Sequence, residues 1–260
     1  MGIYRKAIHA IDNRGIRGIV RDALARFSRQ PDPAPIFNES TAPHPFDLAH
    51  NVDTSGFIPG EQVPGNSPSD LYSTAYYGIS PSSLAAALEL LPEPATGFTF
   101  VDLGCGKGRA LLVAAQFDFP KLLGLEISPE LCRIAESNTH TTPRIEIRQQ
   151  DVVTLAVPAT PLVIFLYHPF LAPILRRVLT NLERHHRANP HPTYLLYANN
   201  TYAKLLARFP FLKQVWNYSI PLSPEDTAAD RHRITHEGFT LYRATETQNV
   251  RVPHSSRTLQ

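Results

Sequence analysis

The chain has 260 residues, 43% of them apolar and 18% charged, with a formal net charge of +2. This composition excludes a disordered polymer, and the length allows one well-buried α/β core with an extension. The near-neutral charge makes nucleic acid an improbable partner. No long apolar run and no charged-then-apolar leader occurs, so a soluble, cytoplasmic protein is expected.

Residues 1–30 form a basic segment, with seven Lys or Arg against two Asp between Ile3 and Gln30. Ile8, Ile11, Ile16, Ile19, Val20, Leu24 and Phe27 fit one or two amphipathic helices, interrupted near Gly15 and Gly18. Such an extension either packs on the domain with a solvated basic face or makes peripheral contact with acidic lipid. Residues 31–80 are proline-rich and read as extended loop, the kind of segment that serves as a lid, binding loop or linker. It runs through Tyr76 and Tyr77 into a helix over Ser82–Leu91, with Ser80 as N-cap and Pro81 at its first position.

The stretch Phe98-Thr-Phe-Val-Asp102-Leu-Gly104-Cys-Gly106-Lys-Gly108-Arg109 follows. It predicts a strand ending in an acid, a tight glycine turn, and a helix from Ala110 to Gln116, with backbone N–H groups facing any ligand above the sheet. The dinucleotide pattern G-x-G-x-x-G fails because Arg109 stands three residues after Gly106. A P-loop fails because no G-K-[ST] closes the run.

A second apolar strand, Leu122–Glu126, ends in another acid, and Ser128-Pro129 opens the next helix. Glu126 lies 24 residues after Asp102, near the roughly 20-residue separation at which an acid meets ribose hydroxyls. A third strand, Arg144–Arg148, leads to Asp151-Val152. The fourth, Pro161–Tyr167, is apolar throughout, as a strand buried on both faces must be, and runs into His168-Pro169-Phe170.

Acid-x-G-x-G-x-G, with further acids at the next two strand ends, resembles class I S-adenosylmethionine-dependent methyltransferases between Phe98 and Phe170. The resemblance implies an α/β fold with a doubly wound, mostly parallel seven-stranded sheet whose last strand is antiparallel. It implies S-adenosylmethionine as cofactor, held by Asp102, Gly104, Cys105, Gly106, Gly108, Glu126, Ile127, Asp151, Val152, Tyr167 and Tyr77. In that family the acid at the place of Asp151 faces the adenine amino group. The segment before the first strand folds over the methionine end, which makes Tyr76 and Tyr77 candidate lid residues facing a sulfonium.

His168 is the candidate catalytic base, since it titrates near neutrality and follows the fourth strand. The family's amide-methylating pattern has Asn or Asp before Pro-Pro-aromatic, and only Pro169 and Phe170 keep its shape. An imidazole cannot both donate to and accept from one NH₂ group, which argues against adenine-N6 or glutamine-N5 as acceptor.

Beyond this point a helix is predicted over Leu171–Arg187, ending in a solvated turn with His185 and His186. A strand follows at Thr193–Ala198, then a helix over Tyr202–Phe209 and two strands at Phe211–Ile220 and Gly238–Ala244. The polar stretch Pro221–Glu237 reads as an exposed linker. Residues 81–246 therefore form the methyltransferase domain and 247–260 a tail. Cys105 and Cys132 have no C-x-x-C or histidine partner at metal-like spacing, so neither a disulfide nor a metal site is expected. The acceptor is expected to be a small molecule or a protein side chain. The alternative is a non-catalytic S-adenosylmethionine- or nucleotide-binding module acting with a partner protein. A nicotinamide oxidoreductase is disfavoured by Arg109 and by the lack of a Tyr-x-x-x-Lys relay.

Overall fold

The computed structural model describes residues 42–63 and 67–245; the basic segment at 1–30 and the tail at 247–260 lie outside them. The central sheet has seven strands: β3 (Thr99–Leu103), β4 (Lys121–Glu126), β5 (Ile145–Gln149), β6 (Leu162–Tyr167), β7 (Thr193–Ala198), β8 (Leu212–Pro221) and β9 (His236–Ala244). Their order is β5-β4-β3-β6-β7-β9-β8, and β9 alone runs antiparallel to its neighbours. The chain builds outward from β3 to β5, then crosses back to lay β6 on the other side of β3. That reversal opens a crevice above the carboxyl ends of β3 and β6, where ligands of doubly wound sheets bind.

Apolar residues on both faces explain why these strands are central. On one face Phe100, Phe165, Tyr194 and Phe239 pack with Leu84 of α2 (Pro81–Glu89) and Leu111 of α3 (Arg109–Ala114). On the other, Val101, Leu123 and Ile164 meet Ile174, Leu175, Val178 and Leu179 of α5 (Ala172–Ala188). Between these in the chain lies α4 (Pro129–Thr139), started by Ser128, whose hydroxyl accepts from the Leu131 amide at 3.4 Å. Each such side chain buried in full contributes on the order of 1.5–3 kcal/mol.

Three readings of the sequence need correction. The proline-rich stretch is not all extended loop: its described part forms α1 (Pro45–His50) and a two-stranded ribbon of β1 (Phe57–Ile58) and β2 (Tyr76–Tyr77). The stretch Pro221–Glu237 is not an exposed linker. It carries α7 (Pro224–Ala229), after the short α6 (Ala203–Leu206), and buries Asp226, Asp230 and Glu237. Asp226 is buried because its Oδ2 accepts from the Ser82 amide (2.7 Å) and hydroxyl (2.6 Å), supplying the side-chain bond at the start of α2 that Ser80 does not make. The turn at the end of α5 is not simply solvated: His186 is buried, and His185 and His191 face each other with Nε2 atoms 3.2 Å apart.

Candidate active site

β3 delivers the Asp102 carboxyl, 3% exposed, to the floor of the crevice. The glycine turn then folds back over the end of β4, where Gly104 and Cys105 amides donate to the Leu125 carbonyl at 2.8 and 2.9 Å. Gly104 has φ 84° and Gly106 φ 54°, the left-handed region that strains other residues. Close approach adds a second reason for glycine. A Cβ at 104 would lie 2.5 Å from the Pro169 side chain, and one at 106 would lie 2.4 Å from the Tyr76 ring. The two missing side chains let the loop after β6 and the ribbon strand β2 close on the turn.

Glu126, at the end of β4, is buried and oriented by three backbone donors. Its Oε2 accepts from the Gly106 amide at 2.9 Å, and its Oε1 from Ile127 at 2.8 Å and Ser128 at 2.9 Å. Burial raises its proton affinity and the three amides pull it back, with a net upward shift. Asp102 has no such help. Burial, with the Glu126 charge beside it, pushes its carboxyl up to about 8, and no described residue donates a hydrogen bond to it. Asp151 follows β5, its Oδ1 accepting from the Val153 amide (3.0 Å) and its Oδ2 from the Ser67 hydroxyl (2.9 Å).

These groups share one cavity of about 870 Å³, open solvent at its mouth included. Of the residues expected from the sequence, Asp102, Gly104, Cys105, Gly106, Glu126, Ile127, Asp151, Val152, Tyr167 and Tyr77 all line it. Gly108 does not: at φ 88° it stands at the start of α3 and packs toward Ala135 and Thr139 of α4.

His168 lines a second cavity that adjoins the first through Thr74, Ala75, Tyr77 and Tyr167. Its backbone is left-handed at φ 45°, and its Nδ1 lies 2.8 Å from the Thr201 hydroxyl and 3.3 Å from that of Tyr197. Asn199, at the end of the neighbouring strand β7, shares the left-handed conformation at φ 52° and lines the same cavity.

The roof comes from residues before α2. Thr74 donates its amide to the Pro169 carbonyl (3.1 Å) and its hydroxyl to the His168 carbonyl (2.6 Å). Tyr76 is buried and donates its hydroxyl to the Thr54 carbonyl at 2.6 Å. The Tyr77 hydroxyl donates to Asp230 (2.9 Å) and accepts from the Arg231 amide (2.8 Å). Two cations of the glycine turn fasten this roof. Lys107 donates to Asp53 and to the Ser55 carbonyl, each at 2.8 Å. The buried Arg109 donates from Nε to the Thr54 hydroxyl at 2.7 Å and lies 3.5 Å from Asp47. In sequence Arg109 serves only to exclude the dinucleotide pattern; its partners stand more than fifty residues away, so no local signal announces its role.

Glycine turn, acids at three successive strand ends and a single antiparallel strand in a seven-stranded sheet together make up the Rossmann-like methyltransferase fold. Residues 100–189 match the family model described as a methyltransferase domain. Solved structures similar to the chain include the putative methyltransferase in complex with the Haloferax volcanii Trm112 methyltransferase activator. That match has 18% identity over 64% of this chain and 89% of the other, with a TM-score of 0.49. A putative S-adenosylmethionine-dependent methyltransferase from Listeria monocytogenes is 15% identical over 64% and 99%, with a TM-score of 0.45. The ribosomal protein L11 methylase of Lactobacillus delbrueckii subsp. bulgaricus is 17% identical over 62% and 77%, with a TM-score of 0.43. No curated protein sequence matches the chain. Among the described residues, no helix is long and apolar enough to cross a membrane.

Proposed function

We propose that the first cavity binds S-adenosylmethionine and that the second holds a small-molecule or protein side-chain acceptor for its methyl group. The observation that carries this reading is the pair of buried acids beside the glycine turn. Glu126 is held in place by three amides, and Asp102 has no hydrogen-bond donor among the described residues. A buried carboxyl with no partner is costly unless a ligand supplies the donor or the positive charge. The donor-rich, cationic methionine end of the cofactor meets that requirement at Asp102. Glu126 keeps acceptor capacity for ribose hydroxyls, because a carboxylate has about four lone-pair sites and three are used here.

When bound, S-adenosylmethionine supplies an electrophilic methyl group on a sulfonium. The chain's own part is alignment and exclusion of water. Tyr76 and Tyr77 form the roof beside the turn and Asp151 stands at the adenine side. Tyr167 marks the passage to the acceptor cavity, which His168 helps to wall.

Calorimetry with S-adenosylmethionine and S-adenosylhomocysteine, and NAD as control, tests the reading. Micromolar binding that D102A and E126A both weaken at least tenfold supports it. Binding of neither compound overturns it. Binding without turnover on any acceptor would favour a non-catalytic module acting with a partner.

A further inference from the structure

The second cavity is walled by backbone that most residues avoid. Among the described residues, the non-glycine positions with left-handed backbone are Asn51, His168, Asn199 and Arg233. His168 and Asn199 are the first residues past the paired ends of β6 and β7, and both line this cavity. Arg233 stands between two more of its lining residues, His232 and Ile234. Such conformations persist where the surrounding structure enforces them, and they cluster at ligand sites.

Asn200, next in the chain, also lines the cavity and is held on both sides. The Asn199 amide donates to the Gly238 carbonyl at 2.9 Å, and the Thr201 hydroxyl lies 2.8 Å from His168 Nδ1. The Asn200 side chain is fixed by β9: its Nδ2 donates to the hydroxyls of the buried Tyr242 (2.8 Å) and Thr240 (3.3 Å). Two bonds to one amide nitrogen set the amide plane, and with it the direction of Oδ1. That oxygen is buried and accepts from no described residue. Buried polar atoms without a partner are rare in folded proteins, and an amide oxygen has room for two donors.

We infer that Asn200 orients the methyl acceptor, its Oδ1 accepting a hydrogen bond from an O–H or N–H group of the molecule bound in the second cavity. The inference rests on the methyl-transfer reading above. It adds a positioning residue and the class of molecule that residue selects, one bearing a hydroxyl or amino group. A molecule without such a group would leave the buried oxygen unpaired in the complex, and a site built around a hydrogen bond rejects the analogue that lacks it. Thr74, Thr201, Asn217 and Asp230 line the same cavity and give it the polar walls such a molecule needs. The fixed amide holds its partner in one orientation, so the acceptor atom meets the methyl group without a search.

The test uses the full chain saturated with S-adenosylhomocysteine, and calorimetry with glycerol, catechol and ethanolamine. Each is paired with the same skeleton in which every O–H and N–H carries methyl instead. At least one probe should bind the wild type at least tenfold more tightly than its methylated counterpart, a ratio on the order of one buried hydrogen bond. Asn200→Ala should abolish that preference while S-adenosylmethionine affinity and melting temperature change little. Asn200→Asp should restore it, because a carboxylate accepts from the ligand as well as from the Tyr242 and Thr240 hydroxyls. Four results overturn the inference: no probe binds, the methylated counterparts bind as tightly, the preference survives in N200A, or N200A weakens S-adenosylmethionine as much as the probe. Survival in N200A would mean that a water alone fills the place beside Oδ1, and an equal loss of both ligands that Asn200 only supports the fold. A wild type that binds no S-adenosylmethionine removes the methyltransferase reading, and the inference with it.

Discussion

The ring of Tyr76 occupies the space that a side chain at position 106 would need. A Cβ on Gly106 would sit 2.4 Å from the ring, whose hydroxyl is fixed on the Thr54 carbonyl and cannot easily move away. The glycine turn and the roof are therefore one structure, although thirty residues of chain separate them.

Gly106→Ala should thus lose more than backbone freedom. The left-handed φ of 54° alone costs a residue with a Cβ about 1–2 kcal/mol, and displacement of Tyr76 adds to it. Denaturant unfolding should show that loss, and calorimetry should show S-adenosylmethionine affinity reduced more than tenfold.

Asp102 makes the ligand-free protein sensitive to pH in a definite direction. Its folded pKa, about 8, lies above the unfolded value of 3.8. Its contribution to stability is therefore complete below about pH 4 and is lost as pH rises through 8. The melting temperature of the free protein should fall between pH 5 and 8.5, and D102N should fall less. A cationic ligand favours the ionised carboxyl, so binding at pH 7 should release a proton from the wild type and not from D102N. Calorimetry in buffers of different ionisation enthalpy would read that release.

Arg109 holds the roof through Thr54 and Asp47, buried at 6% and 2% exposure for the ion pair. Removing one partner of a buried pair leaves the other charge uncompensated, at a cost of about 3–5 kcal/mol. Arg109→Ala should show this by chemical denaturation and should open residues 42–63 to protease. Arg109→Lys should rescue little, because an ammonium lacks the guanidinium fork that reaches both partners.

Both cysteines should be inert in the folded protein. Burial pushes the Cys105 thiol well up and the Cys132 thiol to about 12, so the reactive thiolate is scarce at pH 8. Mass spectrometry after iodoacetamide should find neither alkylated until the chain is unfolded.

The donor half of the site was legible because its chemistry is local. Asp102 and the glycines are consecutive, Glu126 ends the next strand, and each strand end of a parallel sheet points to the same edge. Continuous apolar runs mark the central strands, and the reversal of their order brings those ends together. The roof and the acceptor side were not legible. Ser80 looks like the cap of α2, yet the capping bond at the start of that helix comes from Asp226, 144 residues further along the chain from Ser82.

By itself, then, the sequence determined the sheet, the glycine turn and the acids at its strand ends. Those properties follow from spacing within a few residues and from burial on both faces of a strand. Tertiary structure alone decided that Tyr76 closes on Gly106, that Arg109 anchors Thr54 and Asp47, and that Tyr77 meets Asp230. Each of those contacts joins groups far apart in the chain, and their partners are chosen by packing, which no local pattern encodes.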